Sequence, residues 1–376
     1  MTRARRRCAV VAALLLLALV GWALGPATWR PHRVRGTSME PALVEGDWIR
    51  IRGFGDAAPR RHELVVFREP GSGRLAVKRV AGLPGEVVQV LGEDVWADGR
   101  PAVREVAGVL DLVPQADVRG AALDALLGLA AAGFERGPDG AWTRPAGAGP
   151  VRLPLPEPVR DGYLRRGEFV PGARPVRDAG LELRFALGEP AAAVVLHHQA
   201  GRDHFTAALD GSGRLRVRRV SGGAAVGGPE AAPALLHEES GHVAAASLFL
   251  AVVDGELVVA VDGRVALRAS VGLAEPRQVV GLPLDQATQA VLAVEVAGAA
   301  TLQRLRVGRD LVRIAGTVGG ATGFRLGPDE YFLLGDHPET SRDSRHYGAV
   351  ERGRILGRVG GRLWPRGWNA FGWPLE

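Results

Sequence analysis

Hydrophobic and polar positions follow several regimes along this chain of 376 residues. From Cys8 to Gly25 no charged side chain interrupts an apolar run. As a helix rising ~1.5 Å per residue it would extend about 27 Å, close to the hydrocarbon thickness of a bilayer. The pattern predicts a short tail and transmembrane anchor over 1–25; Arg3, Arg5, Arg6 and Arg7 before the span are nearly balanced by Arg30, Arg33 and Arg35 beyond it, and a short tail is easier to leave in the cytoplasm than to export. Over 26–104 the period falls to two. Val65-Val66-Phe67 reads as a strand, and Ala76, Lys78 and Val80 share one face of another while Arg79 points away. Val95-Trp96-Ala97-Asp98-Gly99-Arg100-Pro101 reads as a hairpin.

Residues 105–159 predict a helix followed by a linker. Asp117 is placed as its cap, Leu123, Leu126, Leu127 and Ala130 fall on one face, and Gly133 ends it. A Pro/Gly/Ala-rich stretch then runs from Gly137 to about Pro158. From 160 to 313 short strands alternate with turns. Leu209-Asp210-Gly211-Ser212-Gly213-Arg214-Leu215 joins two of them, and Asp254-Gly255 and Asp262-Gly263 punctuate a meander of Leu248–Val253, Leu257–Val261 and Val265–Leu267. At the level of pattern this resembles a concanavalin-like or laminin-G-like β-sandwich. Residues 314–376 return to the first regime, so 160–313 reads as a domain inserted into a surface hairpin.

Composition supports a folded, turn-rich, mostly β chain: 47% hydrophobic residues, 52 glycines and 25 prolines. The single cysteine, Cys8, excludes an intramolecular disulfide and reads as a membrane-edge residue. The net charge of +6 is carried by arginines scattered among apolar strand positions. That dispersion argues against nucleic acid and for anionic lipid headgroups or solvation. A cleavable leader ending at Ala23 or Gly25 is the competing reading of the amino terminus, and Pro26 argues against cleavage.

Among 47 basic residues Lys78 is the only lysine. Arginine stays protonated at any workable pH, whereas a buried amine is able to lose its proton. Upstream stands Gly36-Thr37-Ser38-Met39-Glu40-Pro41, which offers a serine nucleophile, and serine with lysine is an established catalytic pair.

Ser38-Met39-Glu40-Pro41 resembles the nucleophile box of type I signal peptidases, the serine/lysine leader peptidase family S26. Lys78-Arg79-Val80-Ala81-Gly82-Leu83-Pro84-Gly85-Glu86 is similar to the family's general-base box. Gly335-Asp336, with Ser341-Arg342-Asp343-Ser344-Arg345 and Gly348, is similar to its third box. The resemblance covers roughly 26–104 and 324–370. It implies a signal-peptidase-like catalytic β fold in two parts, 26–104 and 314–376, behind the amino-terminal membrane helix. It also implies a serine endopeptidase on the extracytoplasmic side of the bacterial inner membrane, acting on exported preproteins. Ser38 is then the nucleophile, Lys78 the general base, and Ser341 the residue that orients the amine. Asp343 and Arg345 are an ion pair supporting that wall, Gly335 and Asp336 belong to the same wall, and Met39 and Pro41 shape the nucleophile turn. Oxyanion donors are Ser38 N–H together with a backbone N–H or the Thr37 hydroxyl, because Gly36 stands where some members carry serine. His337 replaces the usual asparagine, either hydrogen-bonding as asparagine would or adding a titrating group. No metal or organic cofactor is implied.

Outside the boxes the chemistry is sparser. His197, His198 and His204, with Asp203, have ligand character, but adjacent strand residues face opposite ways, so His197 and His198 do not chelate together. His237, Glu238, Glu239 and His242 read as a solvated loop between glycines. The inserted domain is a spacer, a docking module or a glycan binder, its partner unspecified. Trp364, Trp368 and Trp373 suit either core packing or a loop at the headgroup layer. A self-cleaving repressor shares the serine/lysine chemistry, but such proteins carry a DNA-binding domain where this chain has its apolar run. A membrane-anchored binding protein on a relic peptidase scaffold is the alternative from another class, and the presence of both Ser38 and Lys78 argues against it.

Overall fold

The computed structural model describes residues 31–91, 94–102, 112–155, 158–165, 168–200, 203–221, 233–242, 245–271, 290–311 and 322–364. The expected anchor over 1–25, Cys8 and the tryptophans beyond residue 364 lie outside them. Among the described residues no helix is long and apolar enough to cross a membrane. The chain is mostly β and divides into two compact units. One comprises 1–90, 95–100 and 314–376, the other 91–94 and 101–313.

The first unit is built on a seven-stranded sheet. Its order is Pro31–Arg33, Trp48–Arg52, Ile355–Trp364, Leu64–Arg68, Leu75–Gly82, Glu330–Leu334 and Val350–Glu351. Strands from the two ends of the sequence therefore interleave. Val65 and Phe67 alternate with Val66 along one strand and so feed two clusters. Val65 and Phe67 pack with Phe54, Val80, Tyr331, Leu333, Val350 and Ile355, while Val66 packs with Val34, Met39, Leu43, Ile49 and Ile51. The Val95–Pro101 hairpin forms as read, with Asp98 and Gly99 both at positive φ, 49° and 76°. A two-residue turn of that hand matches the twist of its strands, and Asp-Gly supplies it at low cost.

The second unit is a sandwich of an eight-stranded and a six-stranded sheet. Leu181, Leu183 and Phe185 from the first meet Val194, Leu196, Phe205 and Leu209 from the second in one buried cluster. The meander forms as strands Ser247–Val253, Glu256–Val261 and Arg264–Ser270, turned by Asp254-Gly255 and Asp262-Gly263 at positive φ. The loop after Leu209 joins Asp203–Asp210 to Arg214–Ser221, with Leu209 opposite Leu215.

Four sequence expectations change here. Asp117 does not cap a helix: it lies in strand Val113–Arg119, and both its carboxylate oxygens accept from Arg304, at 2.6 Å each. A buried guanidinium from the next strand takes the capping group away. The helix runs Gly120–Leu127 and stops at Gly128, whose φ of 65° ends it before Gly133. The stretch expected as linker contributes strands Trp142–Arg144 and Val151–Pro154, because Trp142 and Leu153 fill the sandwich core and pair with Ala300–Arg309 and Ala290–Ala297. His237, Glu238 and Glu239 belong to strand Ala234–Ser240 rather than a loop, held by pairing to Arg214–Ser221 and by Glu238 with Arg216 at 3.1 Å.

Candidate functional site

Ser38 lies in the loop between Pro31–Arg33 and Trp48–Arg52, which its own backbone closes. Val34 N–H donates to Asp47 O at 2.8 Å and Gly46 N–H to Val34 O at 3.0 Å. Glu40 N–H and Leu43 N–H donate back to Thr37 O and Met39 O, making a tight turn around the serine. Met39, 2% exposed, drives this turn into the cluster of Leu43, Ile49, Ile51 and Val66, and Pro41 is buried behind it.

Lys78 sits in the middle of Leu75–Gly82, directly opposite Val65. It is 4% exposed, and its Nζ donates to Ser38 Oγ at 2.7 Å. Burial holds the amine below its ordinary pKa, against the opposing charges of Asp343, Asp336 and Glu69 and with a small contribution from Arg345 in the same direction as burial. Desolvation disfavours the charged form of an amine, and here it outweighs three carboxylates.

The third box forms the adjoining wall. Asp343, fully buried, accepts from Gly335 N–H at 2.9 Å, from Ser341 Oγ at 2.7 Å, and from Arg345 through Nε and Nη2 at 2.8 Å each. Burial alone would raise its carboxyl, but Arg345 and these hydrogen bonds hold it below the usual carboxylate range. The Ser341 hydroxyl thus donates its hydrogen bond to Asp343, whereas the resemblance implied a contact with the amine. Arg345 also donates to Pro338 O at 3.0 Å, which ties down the segment carrying His337. His337 N–H donates to Ser38 O at 3.1 Å, joining that segment to the nucleophile turn.

Gly335 is the closest approach. A Cβ there would lie 2.0 Å from Ser341 Oγ and 2.6 Å from Ser38 O. The Thr37 hydroxyl donates to Thr340 Oγ1 at 3.1 Å.

Two partnerships were not read from the sequence. Arg79 grips Asp336 through Nε at 2.8 Å and Nη2 at 2.5 Å, both groups buried, and donates to His62 O at 2.7 Å. The alternation that sends Arg79 away from Lys78 was visible, but its partner lies 257 positions away. Glu69, beyond the end of Leu64–Arg68, adds charge near the amine without belonging to any box.

In the second unit His197 and His198 face opposite ways. His198 is fully buried with Nε2 3.1 Å from Ala179 O, and His197 meets His204 across the strand pair. Burial brings both His197 and His198 down to about 4. Asp94, Asp178 and Asp254 also gather within this unit, with Arg177 between the first two at 2.6 and 2.9 Å. Burial, Asp178 and Asp310 raise Asp94 to about 7, against Arg177.

Known proteins match the boxed segments. The profile of the family "Signal peptidase, peptidase S26" matches residues 7–109 and 284–364, which contain Ser38, Lys78 and Ser341. Signal peptidase I V of Bacillus subtilis (strain 168) is 29% identical over 76 residues, 20% of this chain and 45% of that protein. Signal peptidase I of Bacillus licheniformis is 31% identical over 96 residues, 24% of this chain and 46% of that protein. The chain thus spans a little under half the length of these relatives. Among solved structures, the carbohydrate binding module CBM66 from Bacillus subtilis is 11% identical with a TM-score of 0.29, covering 46% of this chain and 90% of that one. At that score the likeness bears on nothing further.

Proposed function

We propose that this S26-like chain is a membrane-bound signal peptidase I, a serine endopeptidase that removes amino-terminal signal peptides from exported preproteins. The observation that carries the proposal is the 2.7 Å contact between Ser38 Oγ and the buried Lys78 Nζ. With the amine neutral, the same contact reverses its direction. The hydroxyl donates to Nζ, and Oγ is activated to attack the carbonyl carbon of the scissile bond.

Lys78 takes the serine proton as the tetrahedral intermediate forms and returns it to the departing amine. Water then hydrolyses the acyl-enzyme, with Lys78 as base again. Ser38 N–H serves the developing oxyanion, where a preorganised donor contributes most in a desolvated site. Asp343, Arg345, Ser341 and Gly335 act by position: they fix the wall against which the amine and the nucleophile turn are held. Met39 and Pro41 anchor that turn, and Asp336 with Arg79 fixes the start of the third box.

The catalytic domain in this reading comprises 26–104 and 314–376, anchored through 1–25, with 160–313 inserted and 105–159 leading into it. The catalytic domain works on the extracytoplasmic side of the bacterial inner membrane, in contact with its lipid. The test is incubation of purified protein with a preprotein. Wild type cuts at one position after a small residue, and Ser38→Ala, with an unchanged melting profile, cuts not at all. Residual cutting by a folded Ser38→Ala protein would mean that another group is the nucleophile.

A further inference from the structure

Strand alternation separates His197 from His198, and the same alternation brings His197 together with His204. Ala193–Ala200 and Asp203–Asp210 are antiparallel neighbours, with His197 opposite Thr206 and Gln199 opposite His204. The two imidazoles are therefore diagonal neighbours on the outer face of the six-stranded sheet. His197 Nδ1 and His204 Nε2 are 3.1 Å apart, the rings inclined by 15° with centroids 5.2 Å apart.

That separation fits two arrangements. One is a hydrogen bond in which one ring donates and the other accepts. The other is a shared metal ion, because nitrogens at ~2.0–2.1 Å from one ion stand about 2.9 Å apart at a right angle and about 3.3 Å apart at the tetrahedral angle. Glu295 Oε2 lies 3.2 Å from the far nitrogen of His197, off the N–H direction, and makes no hydrogen bond to it. A proton on Nε2 leaves Nδ1 as a lone pair facing His204. His197 is 6% exposed and held in place, while His204 is half-buried and leaves the ion an approach from solvent. Arg152, the nearby positive charge, stands opposite Glu295 in the next strand pair.

We propose that His197 and His204 form a binding site for a divalent first-row transition metal of the imidazole-preferring class, such as zinc, with water completing the coordination. Two neutral imidazoles and no thiolate suit zinc, nickel or copper rather than magnesium or calcium. Binding displaces the proton shared between the rings and moves the His204 proton to Nδ1. The ion then staples the two paired strands. This site is independent of the peptidase reading, since both histidines lie in the second unit.

The test is calorimetric titration of the full-length protein with zinc chloride, repeated with His197→Ala, His204→Ala, His204→Gln and His237→Ala. Wild type binds one equivalent and melts at a higher temperature with zinc than with chelator. His197→Ala and His204→Ala weaken binding at least tenfold and lose the thermal shift. His204→Gln keeps a hydrogen-bonding group at that position and loses zinc as His204→Ala does, which separates ligation from folding. His237→Ala, altered on the edge strand, binds as wild type. Absence of saturable zinc binding by wild type, or undiminished binding by His204→Ala, would leave the pair as a hydrogen bond only and overturn the proposal.

Discussion

Substituting Gly335 by alanine tests whether the third box acts by holding the nucleophile in place. The backbone at Gly335 is not at positive φ, so alanine is permitted there conformationally and the obstacle is packing. The added Cβ would meet Ser341 Oγ at 2.0 Å, Ser341 Cβ at 2.4 Å and Ser38 O at 2.6 Å, where ordinary contact begins at 3.4 Å. Relief requires the Ser38 carbonyl to retreat by about 0.8 Å, and Ser341 Oγ by about 1.4 Å, unless the Gly335 strand moves as far. Either path stretches the His337 N–H contact to Ser38 O, now 3.1 Å, and the 2.7 Å contact between Ser38 Oγ and Lys78. A misplacement of ~1 Å at reacting atoms costs on the order of 10²-fold in rate, or about 2.7 kcal/mol in barrier. Overpacking by one methyl costs roughly 1–3 kcal/mol in stability. Gly335→Ala is therefore expected to remain folded with a lowered melting temperature, and to cleave a model preprotein about 10²-fold more slowly. Gly53→Ala, whose Cβ meets nothing within 4 Å, is the control and leaves both measurements unchanged. A folded Gly335→Ala protein with kcat within threefold of wild type would refute the positional account.

Lys78→Arg is expected to be as inactive as Lys78→Ala in the same assay, because charge is retained while the ability to give up a proton is lost; an active arginine variant would reduce Lys78 to an electrostatic role. The rate should rise with pH through the titration of a buried amine, with a midpoint below the ordinary lysine value near ~10.4. Glu69 stabilises the ammonium form, so Glu69→Gln lowers the amine's pKa further and moves the acid limb to lower pH. A limb that stays put or moves to higher pH in a pH–rate profile would contradict that sign. Replacing residues 106–313 with a short Gly/Ser turn should leave cleavage within about tenfold, or ~1.4 kcal/mol in barrier, since Ser38, Lys78 and Ser341 all lie in the first unit. A folded but inactive shortened protein would mean that the second unit contributes to the chemistry.

Local chemistry made much of this chain readable in one dimension. Asp-Gly pairs at 98–99, 254–255 and 262–263 mark hairpins because few other residues accept two successive positive φ values, and all three turns lie there. The β character of Val65-Val66-Phe67 was legible, while the pleat that sends Val65 and Phe67 to one cluster and Val66 to another appears only in the fold. The lone lysine and the three boxes singled out Ser38 and Lys78 because their residue types already narrow the chemistry. The helix after residue 117 was read less well: Asp117 is as good a cap as the pattern suggests, yet Arg304, 187 positions later, takes its carboxylate for the sheet.

What only the tertiary structure decided is which distant groups share a dielectric and a contact. Sequence placed Lys78 among apolar neighbours. The balance between its burial and the charges of Asp343, Asp336 and Glu69 depends on strands Leu75–Gly82 and Glu330–Leu334 lying side by side. Likewise Ser341 was legible as part of a box, while its donation to Asp343 follows from the folded turn. The Arg79–Asp336 pair and the meeting of His197 with His204 depend on register, which a one-residue slip would abolish by turning every side chain of a strand to the other face. Composition and period thus determined which elements form and which residues carry reactive groups. Strand pairing determined which of those groups face one another, because hydrogen-bond register and desolvation are properties of neighbours in space rather than in sequence.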